Sequence, residues 1–163
     1  MKYEYDFIRV QNNLYFFETF NSIIYQIKFK PTPYLFDTIK IDKNSIFEFV
    51  IEVYENNTGK KPAFDINVGK TVSLIFKDFY SYNYKNICIY ICDSSDNKQD
   101  IRKRKFDEWF FKYQTEEFIK IDKVINDKNN VLFPISLIIH KENPKFIEIA
   151  VAFRDLGSSQ KPI

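Results

Sequence analysis

The sequence predicts an α+β fold, mainly an antiparallel sheet of about seven to eight strands, with two covering helices over about 66–80 and 97–113. Three observations carry this prediction. Several runs alternate strictly between apolar and polar residues, two longer segments repeat their apolar residues at helical spacing, and the length of 163 residues suits one domain. A chain of that size buries roughly two-thirds of its unfolded surface, enough for a core that needs no disulfide.

Alternation is clearest at Ile23, Tyr25, Ile27 and Phe29, which oppose Gln26, Lys28 and Lys30. It recurs at Phe47, Phe49, Ile51 and Val53 against Glu48 and Glu52, and at Ile147, Ile149, Val151 and Phe153 against Glu148. All three read as half-buried strands. Tyr3 to Val10 and Leu14 to Glu18 form a hairpin across Gln11-Asn12-Asn13, and Phe118 to Val124 and Val131 to His140 flank a turn at 126–130. Pro134 has no N–H for a ladder, which makes its run an edge strand or a bulged one. Ile87 to Cys92 has no polar alternate and is expected at the centre of the sheet, covered on both faces.

The first helix follows Asp65, a short acceptor suited to an N-cap, and gathers Val68, Val72, Ile75, Phe76 and Phe79 on one side. The second starts at Asp96-Asn97-Lys98-Gln99, a capping-box pattern in which Gln99 returns a bond toward the cap. The domain is expected to span 1–156, with 157–163 a loose tail of Gly, Ser and Pro character.

Charge and cysteine usage narrow the function classes. Against 24 basic residues stand 22 acidic ones, a net charge of +2, so no global field draws nucleic acid or anionic lipid. Cys88 and Cys92, if on one strand, lie roughly 13 Å apart and cannot bridge. Reduced thiols, an acidic N-terminus without a signal's apolar core, and no long apolar run predict a soluble cytoplasmic protein that does not enter a membrane. The 18 Phe and 11 Tyr fit an aromatic core in a chain rich in Ile, Lys and Asn.

Several familiar signals fail on inspection. Gly69-Lys70-Thr71 resembles the end of a phosphate-binding loop, but Phe64 occupies the position of its first glycine and the triplet sits inside a helix. Asp93-Ser94-Ser95-Asp96-Asn97 offers oxygens as a calcium loop does, but Lys98 replaces the glycine such a loop needs. With a single histidine, His140, a zinc cluster has too few ligands, and no metal or cofactor is expected.

One segment concentrates the candidate residues. Asp93 and Asp96 precede the second helix, Lys98 and Gln99 open it, and Arg102, Arg104, Phe106 and Trp109 follow. At about 100° per residue, Trp109, Tyr113, Phe106 and Phe110 share a face, and Arg102 falls among them while Arg104 points away. A guanidinium on a buried face needs a partner, which Asp93 or an external anion can supply. His140 and Asn143 are secondary candidates. The run Arg102-Lys103-Arg104-Lys105 is interleaved with acids at spacing four, as Lys103 with Asp107 and Glu108 with Lys112, the pattern of a salt-bridged helix.

Tyr90-Ile91-Cys92-Asp93, Asp96-Asn97-Lys98-Gln99, Arg102, Arg104, Phe106 and Trp109-Phe110 resemble the central segment of an uncharacterised family of short bacterial proteins, a domain of unknown function. The likeness extends over most of the chain, with a weaker echo at Asn143-Pro144. It implies a bacterial cytosolic domain and assigns no chemistry. Three functions compete: a binding module for a protein partner, of the kind found in defence, immunity or toxin-antitoxin loci; a nucleic-acid-binding or RNA-cleaving protein using residues 102–105; and an enzyme on a small anionic substrate using Asp93 and Arg102. The interaction module asks least of the residues.

Overall fold

Where apolar and polar residues alternate, the chain is extended, and the extended runs join into one sheet. The computed structural model describes residues 4–33, 36, 40–63, 65–92, 97–113, 116–126 and 128–157. Its strands are β1 (Phe7–Gln11), β2 (Leu14–Glu18), β3 (Ile23–Pro31), β4 (Ile46–Asn56), β5 (Ile87–Ile91), β6 (Phe118–Asn126) and β7 (Leu132–His140). Its helices are α1 (Ile66–Tyr82), α2 (Gln99–Tyr113) and α3 (Phe146–Asp155). The seven strands lie in the order β1-β2-β3-β4-β5-β7-β6. All neighbours are antiparallel except β4 and β5, which α1 joins as a parallel pair.

The strand β5 is interior, as its uniform apolarity requires. Its side chains feed two cores. Cys88, Tyr90 and Cys92 belong to the core under α1 and α2, while Ile87 and Ile89 belong to the core under α3. Stacking of Phe29 on Phe79, with ring centroids 3.7 Å apart, ties the sheet to α1. Asp65 caps that helix by accepting from the Asn67 N–H at 2.9 Å. Inside α1, Thr71 Oγ1 donates to the Asn67 carbonyl at 2.7 Å and accepts from the Tyr5 N–H at 2.8 Å. The Gly69-Lys70-Thr71 triplet therefore serves packing and tethering.

Two expectations change. The run 147–153, expected as a strand, lies in α3. Its apolar residues satisfy both periods, and the helical set Phe146, Ile149, Ala150 and Phe153 is the one that packs, leaving Ile147 76% and Val151 51% exposed. Three helices therefore cover the sheet instead of two. The second change concerns β7, expected at an edge or bulged because of Pro134. It is interior, with β1 and β6 at the edges. Proline is accommodated because the Pro134 carbonyl accepts from the Cys92 N–H at 3.1 Å, just past the last paired residue of β5. The N and C=O of one strand residue point the same way, so the ring nitrogen faces the end of β5 and costs β6 no ladder bond.

Candidate functional site: a crevice at the open edge of β4

The parallel pair is unequal in length, and the site follows from that. Pairing of β4 with β5 runs from Ile46↔Ile87 to Phe49↔Tyr90, whereas β4 continues along β3 to Asn56. Among the described residues no strand pairs with this side of β4 beyond Phe49. The carboxyl ends of parallel strands next to a helix start are where open α/β sheets hold ligands.

A crevice of about 440 Å³ occupies this place, and the six consecutive residues Glu48 to Val53 form one wall. Successive strand residues point to opposite faces, so a space that touches all six lies along the strand's edge rather than over one face. The other wall is Arg102, Lys105, Phe106 and Trp109 of α2, the spacing of a single helical stripe. Tyr25, Tyr90 and Ile91 complete it.

Each residue of the α2 wall has a local reason for its position. Phe106 is buried, its ring 4.2 Å from that of Tyr90, which seats the helix on β5. Trp109 lies against Gly69 of α1, where an added Cβ would come within 2.5 Å of its Cδ1. The missing side chain at Gly69 is what allows the two helices to approach. Lys105 is exposed, with its Nζ 5.3 Å from the Trp109 ring centroid. Arg102 is half-buried, and its charge acts on Tyr90 and Cys92.

The opposite flank of α2 is closed by charge. Lys103 pairs with Asp107 on its own helix and with Asp122 of β6 at 3.4 Å. Lys120 pairs with Asp107 at 2.6 Å and with Asp122 at 2.5 Å, and Ser136 Oγ donates to Asp122 at 2.7 Å. Positive and negative groups alternate around this ring, and the Lys120 side chain is only 9% exposed. Burial acts against the Asp122 carboxylate, but Lys120, Ser136 and Lys103 outweigh it and hold its carboxyl below the usual range. Burial acts likewise against the charge on Lys103, and Asp107 and Asp122 outweigh it in turn, raising the ammonium's pKa.

Cys92 lies nearby and is fully buried. Burial pushes its thiol up to about 11, with Lys103 pulling the other way, and burial pushes Cys88 up to about 12. Both are free thiols that remain protonated near neutral pH. Neither is an activated nucleophile.

Of the residues singled out from sequence, Arg102, Phe106 and Trp109 meet in the crevice. Lys98 and Arg104 are exposed, and Lys98 contributes its carbonyl to the Arg102 N–H at 3.1 Å. Gln99 Nε2 donates to the Leu132 carbonyl at 3.3 Å, fixing the start of α2 to β7. Asp93 and Asp96, and with them the capping box and the Asp93–Arg102 pair, lie outside the described residues, as does the tail from 158 on. At the other end of β5, His140 Nδ1 accepts from the Glu142 N–H at 3.1 Å, and its ring packs edge-on to Tyr84 and Phe118. Asn143 is buried, accepting from the Lys145 N–H at 2.9 Å and donating to the Lys85 carbonyl at 3.2 Å. Both hold the turn into α3. Sequence reasoning missed Tyr25 and Glu52 in the crevice and Lys120 and Asp122 in the ring, and singled out Lys105 only as part of the basic run 102–105. The alternation Lys120-x-Asp122 in a strand was the available signal for the ring.

Residues 64–155, more than half of the chain, match the model of a family of unknown function (DUF6169). The chain belongs to that family. No curated protein and no solved structure matches the chain. The DUF6169 stretch runs from α1 to α3 and holds the whole charge ring, whereas β1 to β4 precede it. The crevice thus takes its α2 wall from the DUF6169 stretch and its β4 wall from outside it. Among the described residues no cluster of three or more His, Cys, Asp or Glu is placed to hold a metal, and no helix is long and apolar enough to cross a membrane.

Proposed function

We propose that this chain is a cytoplasmic bacterial interaction module that receives a partner protein in the crevice between β4 and α2. The observation that carries the reading is a stretch of β4 with which, among the described residues, no further strand pairs, facing a wall of Trp109, Phe106 and Arg102, residue types enriched where proteins bind proteins, with the exposed Lys105 beside them. Two free, buried thiols support a reducing compartment.

A nucleic-acid surface has weaker support. Of the basic run 102–105, Lys103 is neutralised by Asp107 and Asp122, Arg104 points away from the crevice wall, and Arg102 and Lys105 share their crevice with Glu48 and Glu52. A phosphate-binding stripe needs basic groups without acids between them. The test is photo-crosslinking in bacterial cells with a benzophenone side chain placed at Val53, at Lys105 or, as a control, at Lys145. Protein adducts at Val53 and Lys105 and none at Lys145 are expected. RNA adducts at these positions, or equal protein labelling at Lys145, overturn the reading.

A further inference from the structure

We propose that this chain pairs with a second copy of itself through the sheet face that carries α3, each copy laying its α3 on the half of that face that the other leaves bare. The contact lies on the side of the sheet opposite α1 and α2, and it goes beyond the reading of the crevice.

Unequal cover of one sheet face is the first argument. The core under α3 takes Ile87 and Ile89 from β5, Leu137 from β7 and, from β4, Ile46 at its start. Alternation along β4 puts Ile46 and Glu52 on the same side, and cross-strand pairing carries that side from Glu52 to Gln26, Phe16 and Ile8. The face that α3 covers over β5 and β7 therefore continues over β3, β2 and β1, where among the described residues no α-helix packs on it. On this half Ile8 and Tyr54 are each 63% exposed, and the Tyr54 ring stands 5.2 Å from that of Phe16. Apolar groups clustered on a water-facing sheet mark a surface that another element covers.

The outward side of α3 supplies the match. Ile149 and Phe153 pack inward, while Ile147 and Val151, one turn apart, point away from the sheet and stay exposed. A helix that served only its own sheet would carry polar residues there. Ten residues make α3 about 15 Å long and about 10 Å wide, and four strands span roughly 14 to 19 Å, so the bare half accommodates one such helix. Charge agrees: Lys28 and Lys30 of β3 are exposed on this face, and Glu148 is exposed beside Ile147. Glu148 stands 3.6 Å from Lys145, an exposed pair that costs little to rearrange. A two-fold axis midway between α3 and the bare half makes the same contact twice and closes the assembly. Packing α3 on α3 would bury Ile147 and Val151 and leave Ile8 and Tyr54 in water. Two such helix footprints bury roughly 600 Å², the class of a weak, reversible interface, with Kd on the order of tens of micromolar.

The experiment is sedimentation equilibrium of the full chain in reducing buffer, from about 1 to about 500 micromolar, a range that brackets the expected Kd. A monomer that becomes a dimer across this range is expected. Val151→Glu and Ile8→Glu should each weaken the dimer about tenfold or more, and because both side chains are exposed the urea midpoint in dilute solution should hardly move. Tyr54→Asp is the second sheet variant and should act as Ile8→Glu does, which keeps the test decisive if Ile8→Glu does not fold. Lys28→Glu and Glu148→Lys should each weaken the dimer severalfold, and the two together in one chain should restore most of the loss. A chain that stays monomeric throughout overturns the proposal. So does a dimer that Val151→Glu breaks while both sheet variants leave it intact, since that is α3 packed on α3. A dimer indifferent to all three apolar variants uses another surface, and charge reversals that weaken it additively show that α3 does not lie on β3; either result overturns the proposal.

Discussion

On the flank of α2 that faces β6, Lys103 is surrounded by Asp107 and Asp122, and Lys120 closes the ring from the sheet. On the flank that faces β4, Arg102 and Lys105 line an open crevice with aromatic rings beneath them. These residues are neighbours in one basic run, yet the helical period sends them to opposite sides. A ring of alternating charges between two elements ties α2 to β6 and leaves little net field. On the β4 flank Lys105 is exposed beside the strand end, with its Nζ over the Trp109 ring. The difference teaches that a charge run has no single role: the elements packed on each side decide it.

The largest expected effect comes from breaking the closed flank. Lys120→Met leaves Asp107 and Asp122 facing each other with one cation between them, and should cost about 2–4 kcal/mol in urea unfolding. Adding Asp122→Asn should return part of that loss, because one stranded carboxylate is then neutral. The pH dependence has a definite sign. The Asp122 carboxyl is depressed in the folded state, so its contribution is present above the unfolded value of about 4 and fades as pH falls through the folded one. The gap between wild type and Lys120→Met should therefore be full at neutral pH and close in acid. A gap that persists unchanged at acid pH would show that packing of the lysine stem, and not charge, holds this flank.

A smaller effect is expected where both flanks depend on the same seating. Gly69→Ala drives a methyl into the Trp109 ring, and overpacking of about 1–3 kcal/mol outweighs the roughly 1 kcal/mol that alanine gains over glycine in a helix. Combined with Trp109→Ala the penalty should largely vanish, leaving the loss of the tryptophan alone. Full additivity in the double variant would mean that the two helices are not in contact at this point.

Much of the sheet was legible in the sequence because strand period and burial agree there. Tyr25, Ile27 and Phe29 face one core while Gln26 and Lys28 do not, and β5 lacks polar alternates because it is covered twice. The helix after Asp65 had both a cap and a stripe. Residues 147–153 could not be resolved in this way, since Ile149 and Phe153 fit both periods and only packing against the sheet decides between them. Pro134 misled because its effect depends on which neighbour its nitrogen faces. The site was half legible. Arg102, Phe106 and Trp109 share a stripe that a helical wheel displays, but the crevice exists because β4 outruns β5, a fact of register. Lys103 meets Asp122 only through tertiary pairing, which no local spacing encodes.

The smallest effect belongs to the open flank, and it is the sharpest statement of the comparison. Lys105 is exposed and lies over the Trp109 ring, a contact worth about 0.5–1 kcal/mol at such a site. Lys105→Ala should therefore shift the urea midpoint little, by no more than about 0.5 kcal/mol once alanine's helix preference is counted. Removal of an equally basic residue two positions earlier should behave differently, because Lys103→Ala opens the ring and strands Asp122 and Asp107 around Lys120 alone. The ratio of the two losses, measured in one buffer, tests whether the flanks differ as described. Equal losses would mean that the crevice wall is held together by its own charges, and that it is built for stability as the β6 flank is.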